Sequence, residues 1–316
     1  MKKYYIIALL FLVISITSIN ATPYAFLNYE IGISGLNKTG SVSSESGEAV
    51  VYNPALLINN KNEFVFTYIK PFSSSFISPP SETIENINLD KISIYSFGGN
   101  ISTKKNGIGF NLFLLKNDDL MAYDEKGNLI SSFSTYQGIF TLGYGFLIKD
   151  LYIGINNKII YQKLYDSYNK SLGVLSLGLK KILSRKLFLT TTLNNLINYK
   201  ISSKNMTYET PVRNYTIGLN YRIGRLNIKS IVWSDLKDIR LSSETEVKIL
   251  NWITFFGGLK DGAGYFSNYN NISALNNYSI INTGFKIYTK NWKFGYGLGY
   301  QNSLGIKHIF TLYYNY

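Results

Sequence analysis

His308 is the only histidine in a chain of 316 residues, and the chain has no cysteine. A metal site built on two imidazoles or on thiolates is therefore unavailable, and serine-histidine hydrolysis has a single candidate base. No Gly-x-Ser-x-Gly motif supplies the nucleophile such a base would serve. Gly295, Gly297 and Gly299 form a Gly-x-Gly-x-Gly run, but a phosphate loop also needs a helix behind its glycines, and none is expected here. They read instead as small residues that make room for a plug or ligand on one face of a strand. Asp118 with Asp119, and Asp124 with Glu125, are paired carboxylates in an expected outer loop. They lack EF-hand spacing and read as solvated charge, with a weak calcium contact as the chemical alternative. These residues predict no enzyme, no metal site and no cofactor.

The glycine run sits inside the clearest structural signal in the chain. From Trp292 to Tyr300, Trp292, Phe294, Tyr296, Leu298 and Tyr300 alternate with Lys293, Gly295, Gly297 and Gly299. Alternate side chains of a strand point to opposite faces, so this is a sheet with one continuous apolar face. The last residues repeat the pattern as Ile306, His308, Phe310, Leu312, Tyr314 and Tyr316. Aromatics make up 16% of the chain, with 27 tyrosines, yet mean hydropathy is zero. That balance suits strands with lipid on one side and a polar lumen on the other. The net charge of +13 and pI near 9.5 raise nucleic acid as a partner, but the lysines are scattered singly with no basic run, so none is expected.

Lys2 and Lys3, an almost wholly apolar run from Ile6 to Ile19, and Ala21 at the cleavage position describe a secretory signal peptide over residues 1–21. Beyond residue 21 no run of about 18 apolar residues remains for a membrane helix. Period-two segments number about fourteen between 63–71 and 305–316, among them 106–116, 134–148 and 185–196. Long and tight connections alternate between them, as a membrane barrel requires, with the tight turns and both termini on the periplasmic side. The expected fold is all-β, a transmembrane antiparallel barrel of about fourteen strands over residues 61–316, in the outer membrane of a bacterial cell. Trp252, Trp292, Tyr314 and Tyr316 are expected at its interfacial girdle. Phe310, Leu312, Tyr314 and Tyr316 form a C-terminal signal of the kind the barrel-assembly machinery reads.

Residues 22–60 do not read as strand. They end in GEAVVYNPALL, residues 47–57, where Asn53 before Pro54 breaks any continuous helix. Ala49, Val50, Val51, Leu56, Leu57 and Ile58 are too apolar for free solvated chain, and the lumen is the obvious cover. This stretch resembles the N-terminal motif of the FadL-like outer-membrane family, matching at Tyr52, Asn53, Pro54, Ala55 and Leu57, with Leu56 where glycine is common. A second stretch, 242–262, resembles the related PorV and PorQ branch in Glu246 and Gly258, with Phe256 where arginine would be expected. The resemblance implies a fourteen-stranded barrel with residues 22–60 as a hatch in the lumen. It implies passive uptake of hydrophobic small molecules, a long-chain fatty acid or similar, with Phe72, Phe76, Ile77 and Phe266 as outer-loop contacts. The alternative it implies is a non-transporting scaffold for secreted or surface proteins. Partners under these readings are the bilayer with a lipopolysaccharide-type outer leaflet, the assembly machinery, and a hydrophobic small molecule or a secreted protein.

Overall fold

The computed structural model describes residues 39–44, 46–58, 61–70, 92–123, 129–165, 168–204, 213–234, 239–260, 280–301 and 305–316. Fourteen strands make one closed antiparallel barrel. They are β1 (Glu63–Lys70), β2 (Ile92–Ser102), β3 (Asn106–Tyr123), β4 (Leu129–Ile148), β5 (Leu151–Tyr165), β6 (Tyr168–Ile182) and β7 (Leu187–Lys204), followed by β8 (Asn214–Ile223), β9 (Leu226–Ser234), β10 (Ile239–Leu250), β11 (Ile253–Lys260), β12 (Ile280–Tyr288), β13 (Trp292–Gln301) and β14 (Gly305–Asn315). Closure comes from β1 on β14, in a register running from Glu63 opposite Asn315 to Lys70 opposite His308. A closed sheet leaves no unpaired strand edge, the condition for crossing hydrocarbon with strands.

The alternation in sequence becomes the two faces of the wall. Trp292, Phe294, Phe310 and Leu312 are exposed outward, while Lys293, Ile309, Thr311 and Tyr313 are buried inward. Gly295, Gly297 and Gly299 face the lumen as expected. Outward rings also pack along the wall: Tyr296 lies 4.9 Å from Phe310, and Trp292 lies 4.6 Å from Tyr314.

Three departures from the sequence expectation share a cause. β3 and β4 run on to Tyr123 and from Leu129, so Asp118 and Asp119 lie in a strand and not in a loop. The run there has the polar residue types of a loop, but cross-strand pairing continues through it, with shifts of register. Likewise β7 does not stop near 196. Near the expected end, Asn195 takes a left-handed φ of 60° and forms a bulge opposite Leu175–Leu177, after which pairing resumes to Lys204. Because the strands are longer, the alternation of long and short connections is less regular than expected: only residues 166–167 join β5 to β6, and 302–304 join β13 to β14. The signal peptide, residues 1–21, lies outside the described residues, as do Asp124, Glu125, Phe72, Phe76, Ile77 and Phe266.

Candidate functional site

Residues 39–44 and 46–58 lie inside the barrel. They form two short helices, α1 (Gly40–Ser43) and α2 (Ser46–Tyr52), and a 3-10 turn over Pro54–Leu57. Val42, Ala49, Val50, Ala55 and Leu57 are wholly buried. The contacts run across one arc of the wall, with α1 against β7 to β9 and the 3-10 turn against β2 to β6.

Asn53 holds this path together. Its backbone is extended (φ −156°, ψ 98°), which ends α2 and lets Pro54 begin the 3-10 turn with its fixed φ. The Asn53 Oδ1 accepts from the Ala55 N–H at 3.1 Å, capping that turn. Its Nδ2 donates to the Ser41 carbonyl at 3.0 Å and to the Leu179 carbonyl of β6 at 3.3 Å. One amide thereby ties the turn to α1 and both to the wall. Tyr52, half-buried, packs its ring against Gly40 and against an apolar cluster of the wall. Asn156 on β5 adds a hydrogen bond to the Val50 carbonyl at 2.5 Å.

The wall is cleared where the motif meets it. Gly107, Gly145, Gly154 and Gly178 are direct cross-strand neighbours on β3, β4, β5 and β6. A Cβ at Gly154 would collide with the Ala55 nitrogen and the Pro54 carbonyl carbon. One at Gly178 would strike the Asn53 Oδ1, and one at Gly107 the Leu57 carbonyl oxygen; at Gly145 it would come within 2.7 Å of the Pro54 oxygen. This row of four glycines is the surface that takes residues 53–57.

Beside the row, Phe113, Ile139, Ile160, Leu172 and Val174 form a buried apolar cluster on β3 to β6, joined by Val51 and Tyr52 from α2. Lys158 rises from the same wall, two residues from Ile160 and directly opposite Val174. It is only 7% exposed, and no ion pair to it exists among the described residues. A buried ammonium without a counter-charge is costly, and such groups attract anions.

Across the lumen the charges are paired. Lys229 on β9 reaches Glu244 at 2.6 Å and Glu246 at 2.9 Å on β10, and Lys286 on β12 reaches Glu246 at 2.5 Å. Asn227 donates to Glu246 at 2.8 Å, and the Thr39 hydroxyl donates to Glu244 at 3.0 Å. Phe256 sits opposite Glu246 in register, and the Lys286 ammonium lies 5.8 Å from its ring. On β14, Tyr313 donates to Glu48 of α2 at 2.7 Å, and Lys293 lies over the Tyr313 ring at 3.5 Å. The sequence reading missed this network, whose signal is Glu-x-Glu at 244 and 246 on an inward face.

The remaining residues of interest sit outside the lumen. Phe310, Leu312 and Tyr314 face outward on β14. Tyr316 stacks on Phe64 of β1 at 4.7 Å and donates to the Asn100 carbonyl at 3.0 Å. His308 also faces outward, with its Nδ1 2.9 Å from the Tyr296 hydroxyl. Asp118 is engaged by the Lys116 ammonium at 2.8 Å and accepts from Ser134 at 2.8 Å.

A closed fourteen-stranded wall, apolar outside and polar or glycine-lined inside, defines a transmembrane β-barrel of the bacterial outer membrane. Within that class the fold is FadL-like. It matches the Pseudomonas putida toluene transporter TodX with TM-score 0.57 at 12% identity, over 91% of this chain and 96% of that one. It matches the Ralstonia pickettii toluene transporter TbuX with TM-score 0.56 at 9% identity, over 90% and 100%. A Pseudomonas aeruginosa FadL homologue matches at 0.50 and 9%, over 91% and 100%. At such identities the likeness is one of fold. No family model matches the sequence, and no curated protein matches it.

Proposed function

We propose that this barrel takes up hydrophobic small molecules passively, with residues 22–60 as its hatch and with a long-chain carboxylate as its substrate class. The carrying observation is Lys158, a buried cation beside the apolar cluster of Phe113, Ile139, Ile160, Leu172 and Val174. An alkyl tail against the cluster and a carboxylate on the ammonium would satisfy both at once. The solved structures of the same fold include proteins described as toluene transporters, which supports an apolar cargo. The substrate passes when the segment held by Asn53, Pro54 and Ala55 leaves the glycine row.

Radiolabelled oleate uptake by cells with and without the gene tests the reading. Uptake should depend on the gene, and Lys158→Met should lower it about tenfold, the worth of one charge-assisted hydrogen bond, while toluene entry persists. Equal oleate uptake with and without the gene would sink the proposal.

A second reading, a scaffold of the PorV and PorQ type, draws support from how closely residues 39–58 pack on the wall. Crosslinking in cells separates the two, since a scaffold recovers one stoichiometric secreted protein. On either reading Phe310, Leu312, Tyr314 and Tyr316 serve as the address for the assembly machinery, and the outer rim meets a lipopolysaccharide-type leaflet.

A further inference from the structure

The net charge of the chain is not spread evenly over the barrel. Six tight turns, residues 103–105, 149–150, 183–186, 224–225, 251–252 and 289–291, lie at one end together with the C-terminus. Five of the six carry cations. These are Lys104 and Lys105 in the first and Lys149 in the second, then Arg185 and Lys186, Arg225, and Lys290. Against these seven cations the turns hold one carboxylate, Asp150. All seven side chains are exposed. None makes an ion pair among the described residues; Arg225 alone has a polar contact, donating to the Ile249 carbonyl at 3.0 Å. The alternate connections are richer in acid by sequence: residues 71–91 carry Glu82, Glu85 and Asp90 against Lys91, and residues 235–238 carry Asp235 and Asp238 against Lys237.

An outward belt of aromatics lies immediately next to this ring. Trp252 and Trp292 are about half exposed, and Tyr144, Tyr221 and Tyr316 are exposed with them. Amphipathic rings settle at headgroup depth, so the belt sets the level of the hydrocarbon boundary. The turn cations then stand at the level of the lipid phosphates.

We propose that the turn end of the barrel is an anionic-phospholipid collar: the seven turn cations select lipids with net negative headgroups from the periplasmic leaflet. Two features favour lipid over an acidic protein partner. The cations are distributed on turns all around the circumference, whereas a docked domain would meet one arc. They also adjoin lipid-facing aromatics, not a recessed surface. The proposal is independent of what crosses the lumen.

The protein carries its own reporters. Of its three tryptophans, Trp252 and Trp292 are outward at the collar, while Trp233 is buried in the lumen at 4% exposure. Refolded protein in phosphatidylcholine vesicles is titrated with phosphatidylglycerol or phosphatidylcholine brominated high on the acyl chain, and tryptophan quenching is read. The anionic lipid should show a relative association about threefold or more above the zwitterionic one at low salt, and the preference should collapse at about 0.5 M salt. The combined substitutions Lys104→Gln, Lys105→Gln, Arg185→Gln, Lys186→Gln and Lys290→Gln should abolish most of it in protein that still migrates as folded on unheated gels. Equal quenching by the two lipids in the native sequence overturns the proposal and leaves the turns for an acidic protein. A preference that survives in the folded variant overturns it as well.

Discussion

Replacing Asn53 by alanine should release residues 39–58 from the wall while leaving the barrel intact. The substitution removes the cap on the 3-10 turn, about 1 kcal/mol. It also removes two donations, to the Ser41 and Leu179 carbonyls, each about 1 kcal/mol net for a buried neutral pair. The total is about 3 kcal/mol, which lowers the docked-to-released ratio roughly a hundredfold. None of these bonds belongs to the strand ladder, so the melting of the barrel should barely move. Hydrogen exchange on detergent-solubilised protein reads the local effect directly. Amides of Val42 to Leu57 should exchange about two orders of magnitude faster in Asn53→Ala, with strand amides unchanged. Planar-bilayer recordings should show new or longer openings in the same protein. Unchanged exchange at Val42 to Leu57 would refute the view that one side chain ties the turn to both α1 and the wall.

Gly154→Leu places a side chain where the Ala55 nitrogen and the Pro54 carbonyl carbon lie. It should cost the docked segment about 1–3 kcal/mol and raise conductance as Asn53→Ala does; silent recordings would count against the glycine row as its seat. Glu246→Gln leaves the buried Lys229 and the half-buried Lys286 without their shared carboxylate. By the usual cost of breaking a buried pair it should destabilise the folded barrel by about 3–5 kcal/mol, read as a lower transition temperature on heat-modifiability gels. Deleting Tyr316 removes the Phe64 stack and the bond to Asn100 and should lower the folded fraction in cells, and unchanged assembly would argue against a terminal recognition signal.

Much of the architecture was legible because a strand's two faces are written within the strand. Trp292, Phe294, Tyr300 and their small partners need no knowledge of neighbours, and the number of strands follows by repetition. What the sequence concealed depends on pairing between strands. Asp118 in β3 and Asn195 in β7 carry loop-like residue types, yet a neighbouring strand supplies hydrogen bonds that override the local preference. The lumen repeats the lesson. Tyr52, Asn53, Pro54, Ala55 and Leu57 stand out as a motif, whereas Gly107, Gly145, Gly154 and Gly178 are single glycines on four strands. Only register brings those four into one row, whereas Gly295, Gly297 and Gly299 stand together within a single strand.

Charge obeys the same rule at a larger scale. A total of +13 first suggests a diffuse solvated surface, and lysines scattered singly along the chain reinforce that reading. In an up-and-down barrel, however, every second connection lands at the same end. Residues as distant as Lys104 and Lys290 therefore become members of one ring without any local run of basic sequence. A period of two connections does for charge what a period of two residues does for hydrophobicity, and a composition-based test for a binding surface is blind to both until the strand order is known.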